Sequence, residues 1–130
     1  MAKTVLLVDY DPKSIDAIRR SLATMGLRTL LATDGEAGER EFHRARPDLT
    51  LVQDVIPKKL GIDLCRALKA SPTRGDQPVV LLAYVKNGGR HRVLTSGCDD
   101  WIEKPFDEPT LLAKVRKYLP ELAPLAGSAS

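Results

Sequence analysis

The chain has little of what marks several large protein classes. Only two cysteines, Cys65 and Cys98, occur in its 130 residues, and they form neither a CxxC pair nor a metal-ligand spacing. A disulfide framework and a zinc site are thereby set aside, and two reduced, partly buried thiols are expected. Aromatic residues make up 5% of the chain, so it has no stacking platform for bases. Charge of one sign is not in large excess: 20 basic against 17 acidic residues leave a net charge of +3, with Lys and Arg scattered along the chain. That balance, without a helix-turn-helix pattern, does not point to nucleic acid. Long apolar runs are missing too. Val5 to Val8 is far shorter than a membrane span or a signal-peptide core, so a cytoplasmic domain with no membrane partner is expected. Finally, Asp9-Tyr10-Asp11-Pro12 contains no glycine where a phosphate-cradling loop would follow the first strand. Dinucleotide, P-loop and flavin-phosphate sites are disfavoured by that absence.

What is present reads as one ordinary globular domain. Hydrophobic residues are 43% and charged residues 28% of the chain. The length suits a single core that needs no metal or disulfide. Thr4 to Val8 is short, continuous and apolar, the pattern of a strand buried on both faces. Asp11-Pro12 supplies an N-cap and a first helical residue. Ile15, Ile18, Leu22 and Met25 then fall at helical spacing, and Gly26 is a natural stop. The alternation continues with strands at 28–33, 48–53, 79–83 and 100–103. Helices are predicted through 36–45, through Leu64, Cys65 and Leu68, from Asn87 to Gly97, and through Leu111, Leu112, Val115 and Leu119. Five strands alternating with five helices predict an α/β fold with a doubly wound parallel sheet and helices on both faces. Residues 1–121 form the predicted domain, and 122–130, small and polar, read as a flexible tail or the start of a linker.

In such a sheet, ligands bind beyond the carboxyl ends of the strands. Asp9-Tyr10-Asp11, Gln53-Asp54, Ala83-Tyr84 and Lys104 meet there. Acids on one side and a lysine on the other suit a hard cation plus a phosphoryl group.

The motifs in order are Val5-Leu6-Leu7-Val8-Asp9, Arg46-Pro47-Asp48-Leu49, Pro57 with Gly61, Gly97-Cys98-Asp99-Asp100-Trp101 and Lys104-Pro105-Phe106. Together they span residues 3 to 120, and the set resembles the receiver domain of bacterial response regulators. The resemblance implies a flavodoxin-like strand order 2-1-3-4-5 and a place in two-component (phosphorelay) signalling. It also implies a Lys104-Pro105 bond of a kind often cis.

The departures from the family pattern bear on function. Receivers carry two successive acids after the first strand, the second a magnesium ligand. Here Asp9 matches the first and Tyr10 stands at the second, with Asp11 displaced by one residue. Counting six residues on from Pro47, or four back from Pro57, places the phosphoacceptor position at Gln53. An amide cannot form an acyl phosphate. Asp54 is adjacent, but strand alternation should turn it away from the pocket unless a bulge rescues it. Ala83 stands where the family has a switch hydroxyl, and Trp101 where it has the second, aromatic switch residue. Without that hydroxyl, Trp101 reads as a packing residue.

Two functions remain. One is a degenerate pseudo-receiver, with no cofactor, acting by protein–protein interaction without phosphorylation. The other is a working receiver phosphorylated on Asp54 by a histidine kinase, with magnesium on Asp9, Asp11 and Asp54. Neither is an enzyme beyond such self-phosphorylation. The resemblance implies signalling partners, a histidine kinase or a downstream effector, on the fourth helix, fifth strand and fifth helix, and leaves a homodimer open. Lys58-Lys59 reads as a solvated loop, though it borders the pocket and could meet an acidic partner. His43 and His91 read as surface histidines.

Overall fold

A computed structural model describes residues 3–71, 77–84, 93, 95 and 97–122. In chain order the elements are β1 (Thr4–Val8), α1 (Pro12–Ala23), β2 (Arg28–Ala32), α2 (Gly35–Ala45), β3 (Leu49–Gln53), α3 (Gly61–Ala70), β4 (Val79–Ala83), β5 (Asp100–Glu103) and α4 (Glu108–Tyr118). The helix expected from Asn87 to Gly97, with His91, and the tail beyond residue 122 lie outside the described residues, save single positions at 93, 95 and 97.

All five strands are parallel, in the order β2-β1-β3-β4-β5. The doubly wound sheet and its strand order are borne out. Alternation of side chains explains why apolar runs suffice to build it. Val5, Leu7, Leu49, Leu51, Val80, Leu82 and Ile102 face one side, against Ile18 and Leu22 of α1 and Leu111 and Val115 of α4. Leu6, Val8, Val52, Val79 and Leu81 face the other, against Phe42 of α2 and Leu64, Cys65 and Leu68 of α3. Two cores therefore sandwich the sheet, and β1, β3 and β4 are mostly apolar, with Thr50 and Gln53 as buried polar exceptions on β3.

Helix starts follow their caps. The Asp34 carboxylate accepts the Ala37 N–H at 2.8 Å, and Asp107 accepts the Thr110 N–H at 2.9 Å. Asp11 caps α1 more weakly, accepting the Lys13 N–H at 3.3 Å, with Pro12 at the first helical position. Differences from the predicted bounds are one residue at the ends of β2, α2 and β3, and α1 stops at Ala23, two residues before Met25.

Register sets the functional end. Val8 pairs with Val52, so Asp9 and Gln53, each the next residue, leave the sheet side by side. Ala83 pairs with Glu103, and the Lys104 N–H bonds the Ala83 carbonyl at 2.9 Å. β1 lies between β2 and β3, so the chain reverses its direction of winding there. A crevice beyond the carboxyl ends is expected at that point.

Candidate functional site: an amide-filled acidic cleft

The crevice is a cleft of about 520 Å³ lined by Asp9, Tyr10, Asp11, Ser14, Gln53, Asp54, Val55, Tyr84, Lys104, Pro105 and Phe106. Most of the residues singled out in the sequence meet here. Asp9 is 1% exposed and Gln53 5% exposed. A buried carboxylate needs donors, and Asp9 has three. Its Oδ1 accepts the Asp11 N–H at 3.0 Å, and its Oδ2 accepts the Ser14 hydroxyl at 2.6 Å and Gln53 Nε2 at 3.0 Å.

Gln53 is used at both ends. Its second Nε2 proton goes to Ser14 Oγ at 3.0 Å, and its Oε1 accepts Lys104 Nζ at 2.7 Å. The orientation of the amide follows from its neighbours. Reversed, it would turn a carbonyl to the Asp9 carboxylate and an N–H to the Lys104 ammonium. Lys104 is thus linked to Asp9 through the amide.

Asp54 was expected to turn away from the pocket, yet it contacts Lys104 as well, Oδ1 to Nζ at 2.9 Å. β3 ends at Gln53, so Asp54 lies past the last strand residue and strict alternation does not govern it. Gly61 donates its N–H to the Asp54 carbonyl at 2.9 Å. The Asp54 side chain is held at the rim, where Oδ2 accepts the Tyr84 N–H at 3.2 Å and Oδ1 the Val55 N–H at 3.0 Å. Lys104 also sits 5.0 Å from the centroid of the Tyr84 ring. The Lys104-Pro105 peptide is cis.

Other positions are arranged differently. Tyr10 is half-exposed at the mouth, and Asp11 is exposed and occupied with its cap. Ala83 is buried. Trp101 is half-buried and packs on the α2–α3 side of the sheet. Lys58 and Lys59 turn to α2 rather than to the cleft, Lys59 pairing with Glu39 at 2.9 Å and Lys58 lying 3.6 Å from Glu36. Their counter-charges are intramolecular, so no acidic partner is needed to explain them. His43 packs edge-on against Phe42. Among the described residues, no three His, Cys, Asp or Glu side chains gather as a metal cluster.

Sequence reasoning passed over Ser14. Its signal was its place on the first turn of α1, just after the Asp11 cap, which brings its hydroxyl back over Asp9. It also passed over a polar cluster on β5 and α4. Asp100 Oδ2 accepts Lys114 at 3.1 Å, Lys117 at 3.0 Å and the Tyr118 hydroxyl at 2.8 Å. Burial works against ionisation of Asp100. The bonds from Lys117, the Trp101 N–H, Tyr118 and Lys114 outweigh it and pull the carboxyl down to about 2. Burial and Asp100 together push the Tyr118 phenol up.

Comparison with known proteins agrees with this architecture. Residues 5–116 match the family model of the response regulator receiver domain. The chain is 33% identical over 122 residues to the response regulator MprA of Mycobacterium leprae, covering 92% of this chain and 52% of that protein. It is 34% identical over 119 residues to the DNA-binding response regulator MtrA of Mycolicibacterium smegmatis, covering 92% of this chain and 51% of the relative. The chain thus spans about half the length of these relatives. Among solved structures, it superposes with a TM-score of 0.84 and 26% identity on the receiver domain of a sensor histidine kinase from Pseudomonas aeruginosa, covering 93% of this chain and 100% of the other. That protein has a magnesium ion coordinated in its active-site cleft. Fold, motif order and family match converge: the chain belongs to the response regulator receiver domain family.

Proposed function

We propose that this chain is a degenerate receiver, a signalling module that works through protein–protein contacts without being phosphorylated. One observation carries the reading: the Gln53 amide stands at the acceptor position and already satisfies both Asp9 and Lys104. It cannot form an acyl phosphate, and it turns an N–H, not a carboxylate oxygen, toward Asp9. Tyr10 and Ala83 remove the second acid and the switch hydroxyl that the family resemblance implies.

The residues present do not fit a magnesium ion. A hard cation takes six oxygen ligands at close to octahedral geometry and depends on carboxylate charge. Asp9 Oδ2 already holds two donors, and Asp11 is committed to α1. The Gln53 amide turns its N–H groups to Asp9 and Ser14 and offers no charge to a cation there.

A second reading keeps Asp54 as acceptor, and the 2.9 Å contact with Lys104 favours it. In that case, magnesium would rest on Asp9, Asp11 and Asp54. The first reading is preferred because Asp54 sits at the rim, tied to the Tyr84 and Val55 amides. Partners in either reading are a histidine kinase or a downstream effector, engaged through β5, α4 and the segment between β4 and β5. The exposed Tyr10, Val55 and Tyr84 add an apolar rim to the cleft. No described helix is long and apolar enough to cross a membrane, and a cytoplasmic location is part of the proposal. So is residue 122 as the point where domain gives way to tail or linker.

Incubation with acetyl phosphate and magnesium, read by intact mass, separates the readings. The unmodified mass is expected. A stoichiometric phosphoryl adduct, lost on Asp54→Asn, would establish the second reading.

A further inference from the structure

The two cysteines are neighbours although they lie far apart in sequence. Cys65 is wholly buried on α3, and Cys98 is half-buried just before β5 and packs against the same core. Cys98 packs against the cluster that holds Cys65, and its side chain is a neighbour that pushes the Cys65 thiol up. The flanking residues fix this juxtaposition. Lys69, one turn along α3 from Cys65 and on the same face, bonds both Asp99 carboxylate oxygens, at 2.7 and 2.6 Å. Asp99 Oδ2 also accepts the Val79 N–H at 2.7 Å. A β-carbon at Gly97 would lie 3.5 Å from that of Lys69. Residues 97–99 are therefore held against the α3 face that carries Cys65. Nothing in the proposed signalling role uses this pair.

We propose that Cys65 and Cys98 form a redox-responsive dithiol, closed by a peroxide into an intramolecular disulfide that ties α3 to the entry of β5. The two sulfurs have different parts. Cys98 is the one that solvent reaches. Cys98 therefore meets the oxidant first, while the neighbouring Cys98 side chain and burial push the Cys65 thiol up. Hydrogen peroxide transfers one oxygen to the Cys98 sulfur, giving a sulfenic acid and releasing one water. The Cys65 sulfur then attacks the Cys98 sulfur. The S–S bond forms, the S–O bond breaks, and the hydroxyl leaves as water with the Cys65 proton. Over both steps two thiols are oxidised, one peroxide is reduced and two waters form. A dithiol reductant reverses the bond by exchange.

The test is titration of the full chain with hydrogen peroxide, followed by alkylation with iodoacetamide under denaturing conditions, intact mass and a non-reducing digest. The expected results are loss of two hydrogens, loss of alkylation at both cysteines, one peptide pair joining positions 65 and 98, and full reversal by dithiothreitol. Cys65→Ala should leave Cys98 as a sulfenic acid trapped by dimedone, and Cys98→Ala should leave Cys65 unmodified. Oxygen added at Cys98 of the native chain without a cross-link would overturn the proposal. So would a disulfide between two copies, or two thiols still alkylated at peroxide exposures that consume free cysteine.

Discussion

A glutamine side chain donates at one end and accepts at the other. At position 53 this polarity matches its surroundings, with Asp9 and Ser14 at the donor end and Lys104 at the acceptor end. Gln53→Leu removes all three contacts and leaves a buried carboxylate with fewer donors. It should cost about 1–3 kcal/mol in urea unfolding. Gln53→Asp is a different experiment. It sets a second carboxylate beside Asp9, where like charges repel. The variant should melt lower than the native chain without magnesium and regain part of the loss with it, while the native Tm stays unmoved by magnesium. A native Tm that rises with magnesium would mean that Asp9 still binds the cation. Asp100 makes a prediction on pH. Its carboxyl is pulled from the ordinary 3.8 to about 2, so the folded state holds the proton less tightly than the unfolded chain. Its contribution is therefore full above pH 3.8 and fades as pH falls toward 2. Asp100→Asn should flatten the stability curve over that interval. Parallel curves for the two proteins there would contradict the assignment.

At the scale of elements, the loop from β3 to α3 decides which side chains enter the cleft. Gly61 starts α3 hard against the strand end. A β-carbon there would come within 2.1 Å of the Gln53 carbonyl oxygen and 2.9 Å of the Asp54 α-carbon. Gly61→Ala must displace the loop and should destabilise the fold by about 1–3 kcal/mol, measured by denaturant titration. The Lys104 contacts with Gln53 and Asp54 should loosen with it, visible as a shifted Lys104 side-chain NMR signal. Much of this layer was legible in the sequence. Apolar runs gave the strands, Asp-Pro and Asp-Gly pairs gave helix starts, and counting from Pro47 and Pro57 singled out residue 53. What was not legible depends on short-range geometry past the strand ends. Alternation predicts where a side chain points only while the chain is a strand, so the reach of Asp54 to Lys104 escaped it. Ser14 over Asp9, Lys59 on Glu39 and the contact of Cys65 with Cys98 are tertiary pairings that no local pattern encodes.

At the scale of the whole molecule, the sheet sets a crevice at its carboxyl end under a particular set of side chains. Family membership rests on the scaffold: five parallel strands in the order 2-1-3-4-5 and a family match over residues 5–116. The chemistry rests on a few residues at one end of it, as is usual where one fold serves many functions. A receiver is switched by a phosphoryl group and its cation. In the reading proposed above, the amide that bridges Asp9 and Lys104 stands in for both the anion and the metal, and the surfaces are presented in one state. Beryllofluoride, which mimics the phosphoryl group, probes that claim directly. Calorimetric titration with beryllofluoride and magnesium, with Trp101 fluorescence followed in parallel, should give no binding heat and no change in emission. A saturable, stoichiometric heat that requires magnesium would contradict the account.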